Sequence, residues 1–156
     1  MGNNMEMDND FWQHSLLIYQ QAGIERLCLR LQDEFDMDVN LVLFCHWLGA
    51  TGLVVSPKQL KDVAEQVEDW RHQVVVPLRT LRRALKTMVD VGSVIAQIKL
   101  AELKAEQHQQ ALMWNYYKDC KENFTKIKAT WYEPLLEGQR GHRLKACEQL
   151  LSKFPS

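Results

Sequence analysis

A chain of 156 residues, 46% hydrophobic and 25% charged, has the size and composition of one folded domain and excludes disordered and collagen-like polypeptides. Its longest apolar run, Leu41 to Cys45, is far short of the ~18 residues a membrane span requires. Nineteen basic against twenty acidic residues, net charge -1, provide no global field for nucleic acid or membrane.

Seven glycines and four prolines are too few turn residues for a sandwich or barrel of many short strands, so helices are expected. Asp10 can cap a first helix carrying Trp12, Leu16 and Tyr19, which Gly23 breaks. Ile24, Leu27, Cys28, Leu31 and Phe35 then form one apolar stripe opposite Glu25, Arg26, Arg30 and Asp33. Asp38 offers a cap for VNLVLFCHWLG, which is apolar on nearly every side and is expected to be a central buried helix near 38–48 ending at Gly49. Ser56 followed by Pro57 opens the next helix, with Leu60, Val63, Ala64, Val67, Trp70 and Val74 on one face. A bend is expected at Pro77, after which Leu78, Leu81, Leu85 and Met88 continue the stripe. Ser93 can cap a long helix through Val94, Ile98, Ala101, Ala105, Leu112 and Tyr116, reaching Lys118 or beyond. In the tail Phe124, Ile127, Trp131 and Leu135 fit one helical face, and Leu144, Cys147 and Leu151 a last short helix. The expected fold is all-α, a single-domain irregular bundle of about five to seven helices over residues 10–156, with a flexible N-terminus at 1–9.

The opening MGNNMEMDNDFW has neither the basic nor the apolar region of a secretory signal, and Cys28, Cys45, Cys120 and Cys147 form no CxxC pair. A cytoplasmic protein with free thiols is expected, with no membrane association. Charge is unevenly spread: residues 1–40 carry eight acids against Arg26 and Arg30, and residues 41–156 seventeen bases against twelve acids.

Four segments, Phe11-Trp12, CLRLQ at Cys28 to Gln32, Asp38 to Leu48, and WRHQVVVPLRTLRRALK at Trp70 to Lys86, resemble as a set an uncharacterised family of small bacterial proteins. Its members share FW, CLxLQ, DVNxLLFxxWL and WRxxVVxPLRxLRRxLK elements. The resemblance implies a bacterial cytoplasmic protein and carries no mechanism.

Two surfaces stand out. Arg79, Arg82, Arg83 and Lys86, at i, i+3, i+4 and i+7, make a basic stripe opposite Leu78, Leu81 and Leu85. Such a stripe can face an acidic protein partner, or nucleic acid, although no zinc-finger or aromatic sheet motif supports the latter; it can also pair with the acidic first third of the chain. The leading expectation is a non-enzymatic protein binding a macromolecular partner through this face. The alternative is a small enzyme or carrier holding a phosphate or diphosphate ligand between Asp33, Glu34, Asp38 and Arg71. It requires a concave pocket in which one of those acids meets Arg71 or Arg79. A DDxxD metal motif would need an acid at Met37, and no ligand set has metal-site spacing, so neither metal nor cofactor is expected. His46, on the apolar helix, is expected to be a core histidine bonded to a neighbour, and Asn40 a satisfied buried amide. Trp114 with Tyr116 and Tyr117 is expected in the core, or else at an exposed groove.

Overall fold

The computed structural model describes residues 5–126 and 130–156. Its helices are α1 (Asp10–Tyr19), α2 (Ile24–Phe35), α3 (Val39–Ala50), α4 (Pro57–Trp70), α5 (Val76–Leu85), α6 (Gly92–Cys120) and α7 (Gly141–Leu151). A π-helical segment, Arg71–Val75, joins α4 to α5 without a break, so the fold has about six helices. It is all-α apart from a two-residue antiparallel ladder in which β1 (Leu53–Val54) pairs with β2 (Thr125–Lys126).

Local chemistry sets the helix starts. Asn9, rather than Asp10, caps α1 by accepting the Trp12 amide. Gly23 begins α2 with φ 84°, a left-handed conformation that only glycine takes without cost. Asp38 caps α3 through the Asn40 amide, and Ser56 with Gln59 forms a reciprocal capping box at α4. Just before Pro77, where a bend is expected, the backbone forms a π-turn. The Val76 amide reaches back five residues to the Arg71 carbonyl, and the helix absorbs a proline without an amide proton by widening rather than breaking.

Helix α3 occupies the centre, as its sequence requires. Val42, Leu43, Phe44, Cys45, Trp47 and Leu48 are all buried, with Phe11 stacked on Trp47 and edge-on to Phe44. The helix runs through Gly49 to Ala50 instead of ending at the glycine. Gly49 is needed for another reason: a Cβ there would lie 2.5 Å from Cβ of Trp131, so the missing side chain lets the tail close on the helix. Helix α6, about 44 Å long at 1.5 Å per residue, packs against α1, α3, α4 and α5. Helix α7 closes the other side of α2.

The tail departs from the expected helical face. Phe124 precedes the strand β2, Trp131 lies in a turn, and Leu135 sits in a 3-10 turn, Glu133–Leu136; Ile127 lies outside the described residues. Phe124 and Leu135 are nevertheless buried in the common core, which also takes in Cys147, Leu151 and Phe154. Of the segment expected to be flexible, residues 1–4 lie outside the described residues. Glu6 meets Lys118 and the Trp114 indole, and Gln107 donates to the Met7 carbonyl.

Candidate functional site

The residues singled out in the sequence divide in space. Asp33 and Glu34 lie on the exposed side of α2, where Asp33 meets Arg83 at 3.3 Å and Glu34 meets Arg30 at 3.0 Å. Asp38 turns inward. Its Oδ1 accepts the Asn40 amide at 3.0 Å and its Oδ2 accepts Gln109 at 2.7 Å, with Arg71 Nε 3.5 Å away. Arg71 comes from the first turn of the π-helical segment. The acidic cluster therefore does not converge, and among the described residues no group of three His, Cys, Asp or Glu is placed to hold a metal ion.

The basic stripe of α5 also splits. Arg79 and Arg82 face α6: Arg79 reaches Glu106 at 3.1 Å and Glu102 at 3.5 Å, and Arg82 holds Glu102 through two nitrogens. Among the described residues, Arg83 is the member of the stripe that pairs with the acidic first third, through Asp33. Lys86 is exposed and makes no ion pair among the described residues. Glu102 and Glu106, one turn apart on α6, are the partners that the net charge of the first forty residues did not suggest.

Between α1, α2, α3, α5 and α6 this inward network borders a cavity of about 140 Å³. Its apolar wall includes Trp12, Leu16, Leu29, Leu43 and Leu103; its polar end is formed by Ser15, Asp38, Asn40, Arg79, Glu106 and Gln110. By the space one water requires, it has room for on the order of ten non-hydrogen atoms. Tyr19, Leu29 and Leu103 are large side chains left exposed around it, 40%, 42% and 46% respectively. Single exposed apolar residues are common, but three on the wall of one cavity make an apolar rim.

Several groups at the polar end are held away from their ordinary ionisation. Burial pushes the Asp38 carboxyl up despite the nearby Arg71 guanidinium and the Gln109 and Asn40 donors. Burial also pushes Glu106 up, reinforced by the negative charges of Glu102 and Asp38 and opposed by Arg79. The Cys28 thiol, also in the wall, is pushed up to about 12 by burial, with the nearby Glu106 and Glu25 charges adding to it, which leaves it a protonated, unreactive wall group. Gln110 donates its amide to Asn40 at 2.9 Å, so Asn40 has the buried partner its position demands. The Gln110 carbonyl oxygen and the Ser15 hydroxyl, in contrast, are buried without a hydrogen-bond partner among the described residues, as is the carbonyl oxygen of Gln109. Unsatisfied buried polar atoms are uncommon in folded proteins, and two of these three belong to the wall of one cavity.

Ser15, Glu102, Glu106, Gln109 and Gln110 were not identified from the sequence. The available signal was the polar run EQHQQ at 106–110 in the middle of a helix whose flanks carry an apolar stripe. Helix α6 buries Glu102, Ala105 and Gln109 on one line, so the polar residues occupy core positions.

Elsewhere, His46 is a buried histidine, as expected, with Nδ1 2.8 Å from His14 Nε2 and Nε2 2.7 Å from the Pro155 carbonyl. Trp114 is half-buried in an aromatic cluster with Trp47 and Tyr117.

Comparison with known proteins gives one family. No curated protein and no solved structure matches the chain. A family model described as "Protein of unknown function (DUF2390)" matches residues 10–113, two thirds of the chain. That span contains every residue of the cavity wall, from Trp12 to Gln110. The uncharacterised family that the four sequence elements resemble is thus matched by an uncharacterised family model, and this chain belongs to the family described as protein of unknown function DUF2390.

Proposed function

We propose that this protein binds a small amphipathic organic molecule in the cavity between α1, α2, α3, α5 and α6. The observation that carries the reading is the composition of that cavity: Trp12, Leu16, Leu29, Leu43 and Leu103 share its wall with Asp38, Arg79 and Glu106, and two further wall residues, Ser15 and Gln110, hold buried polar atoms without a partner among the described residues. A mostly apolar concavity with a few convergent polar groups is the usual form of a small-molecule site. That Asp38 and Arg79 both line the cavity supports the ligand-holding alternative.

Phosphate is a poor fit as the ligand. Arg79 is the one cationic residue in the cavity wall, and its guanidinium is already engaged by Glu102 and Glu106. The macromolecular-partner reading rests on less. With Arg79 and Arg82 committed to glutamates, the outward part of the stripe is Arg83 and Lys86. The cavity reading is therefore preferred.

The probe for the experiment is 1-hexanol, added to protein carrying 13C-labelled leucine methyl groups. Saturable shifts are expected at Leu16, Leu29, Leu43 and Leu103, with exposed leucines outside the cavity wall, such as Leu81, unmoved. Shifts of equal size on all exposed leucines, or none on the four, would overturn the reading.

A further inference from the structure

We propose that the flank of the α5–α6 hairpin turned away from the cavity docks a second copy of this chain, related by a two-fold axis, so that two hairpins form a four-helix contact. The inference is independent of the cavity reading.

Helix α5 is covered on one side only. Beyond the π-helical segment that precedes it, α6 is the helix it packs against. By helical periodicity, about 100° per residue, Arg79, Arg82, Arg83 and Lys86 share one flank of α5. There Arg79 lines the cavity and both Arg79 and Arg82 meet Glu102. Pro77, Leu81, Ala84 and Met88 fall on the other flank. On α6 the same periodicity puts Lys99 on the cavity flank with Leu103, and Val94, Gln97, Ile98 and Ala101 on the flank of Leu81. Trp70, stacked on His108 at 4.0 Å between ring centroids, closes that flank at the end nearer α4. Of nine large apolar side chains left exposed among the described residues, six lie between Leu81 and Leu103. Such a concentration is unlike the single scattered exposures of an ordinary surface. Leu81, Met88 and Val94, on the flank in question or at its edge, are 44%, 57% and 48% exposed.

The charges of this flank select its occupant. Between Val76 and Ala101 no charged side chain shares it, as in the core of a protein interface, and an anionic lipid surface or a charged peptide finds no counter-charge among its apolar residues. Charge returns at the two ends with opposite sign. Asp90 stands in the turn between the helices and Lys104 lies one turn beyond Ala101; both are exposed and neither is in an ion pair among the described residues. Along α6 they are about 21 Å apart. A two-fold axis through the middle of the flank, near Leu81 and Gln97, runs the hairpins antiparallel and brings Asp90 of each copy to Lys104 of the other. The face is thus complementary to itself, as an isologous contact requires. Two helices wide and about 20 Å long, it would bury on the order of 800 Å² across the pair, the low end for a specific contact, so a weak dimer is expected.

The experiment is sedimentation equilibrium of the full chain from about 10 μM to 1 mM, a range matched to a contact of this size. The native chain is expected to pass from monomer to dimer and no further. Leu81→Asp changes an exposed residue, so it should keep the native urea midpoint while weakening the dimer at least about tenfold. Lys104→Glu sets two acids together at each end and should weaken the dimer about tenfold, and adding Asp90→Asn, which removes that repulsion, should restore it to within about threefold of native. Lys86→Glu, on the other flank, should leave it unchanged. A native chain that stays monomeric at about 1 mM would overturn the proposal and leave the face to another protein or to a lipid surface. A dimer that survives Leu81→Asp, or one indifferent to Lys104→Glu, would overturn it as well.

Discussion

His14 on α1 donates from Nε2 to Nδ1 of His46 on α3, at 2.8 Å. The direction is fixed by the far side of His46, where Nε2 must donate to the Pro155 carbonyl, 2.7 Å away, leaving Nδ1 as the acceptor. Two helices and the end of the chain are thereby joined through neutral imidazoles, with Trp131 and Phe154 against the same ring.

This arrangement predicts acid sensitivity of a definite sign. Burial, with His46 alongside, pushes His14 down to about 4, and burial pushes His46 down despite the Pro155 carbonyl. A histidine lowered in the fold binds fewer protons folded than unfolded, so its contribution is complete above its unfolded value near 6.5 and is lost as pH falls toward about 4. Asp38 and Glu106, raised in the fold, act in the opposite sense, so the test is a difference between proteins. Urea midpoints of the native chain and of His14→Gln should draw together as pH is lowered through this window. A constant difference would show that the pair does not titrate with folding.

The core prediction concerns Phe44, which has no exposed surface and touches the rings of Phe11, Trp47 and Phe124. Truncation to alanine should cost about 3–5 kcal/mol in urea unfolding. A loss below ~1 kcal/mol would mean that α3 is not the central helix.

Helix α3 and the tail differ in how far they could be read in advance. VNLVLFCHWLG is apolar around its whole circumference, a pattern that only a central position satisfies, and Asp38 marks its start. The tail carries buried aromatics at helical spacing, but its burial comes from long-range docking of Phe124, Trp131 and Phe154, and spacing alone cannot distinguish that from a helix face. The cavity was half legible. Asp38 and Arg79 could be named in advance, because acids and bases attract across a fold, and both line the cavity. Ser15 and Gln110 could not, because their importance lies in hydrogen bonds they do not make, which depends on the packing of five helices.

Gly49 should tolerate little change. Alanine there would place a methyl group 2.5 Å from Cβ of Trp131, so either the tail or the helix must shift. A cost of about 1–3 kcal/mol is expected for this overpacking, read by thermal or urea unfolding. No loss would show that Trp131 is not seated on α3.

The two classes of arginine pair should behave differently. Glu102 is buried between Arg79 and Arg82, so Glu102→Ala should cost about 1.5–3 kcal/mol and respond weakly to salt. Arg83→Gln removes an exposed pair with Asp33 and should cost under ~1 kcal/mol, less at high salt. Equal costs would contradict the division of the stripe into an inward and an outward half.

The cavity itself is tested most directly by closing it. Leu29 lies in its wall and is 42% exposed, so Leu29→Trp can fill the opening from the surface without enlarging a buried side chain. The account predicts that the native chain binds 1-hexanol with saturable shifts at the Leu16, Leu43 and Leu103 methyl groups, and that Leu29→Trp keeps its urea midpoint while losing those shifts. A stable Leu29→Trp protein that binds hexanol as the native chain does would contradict it.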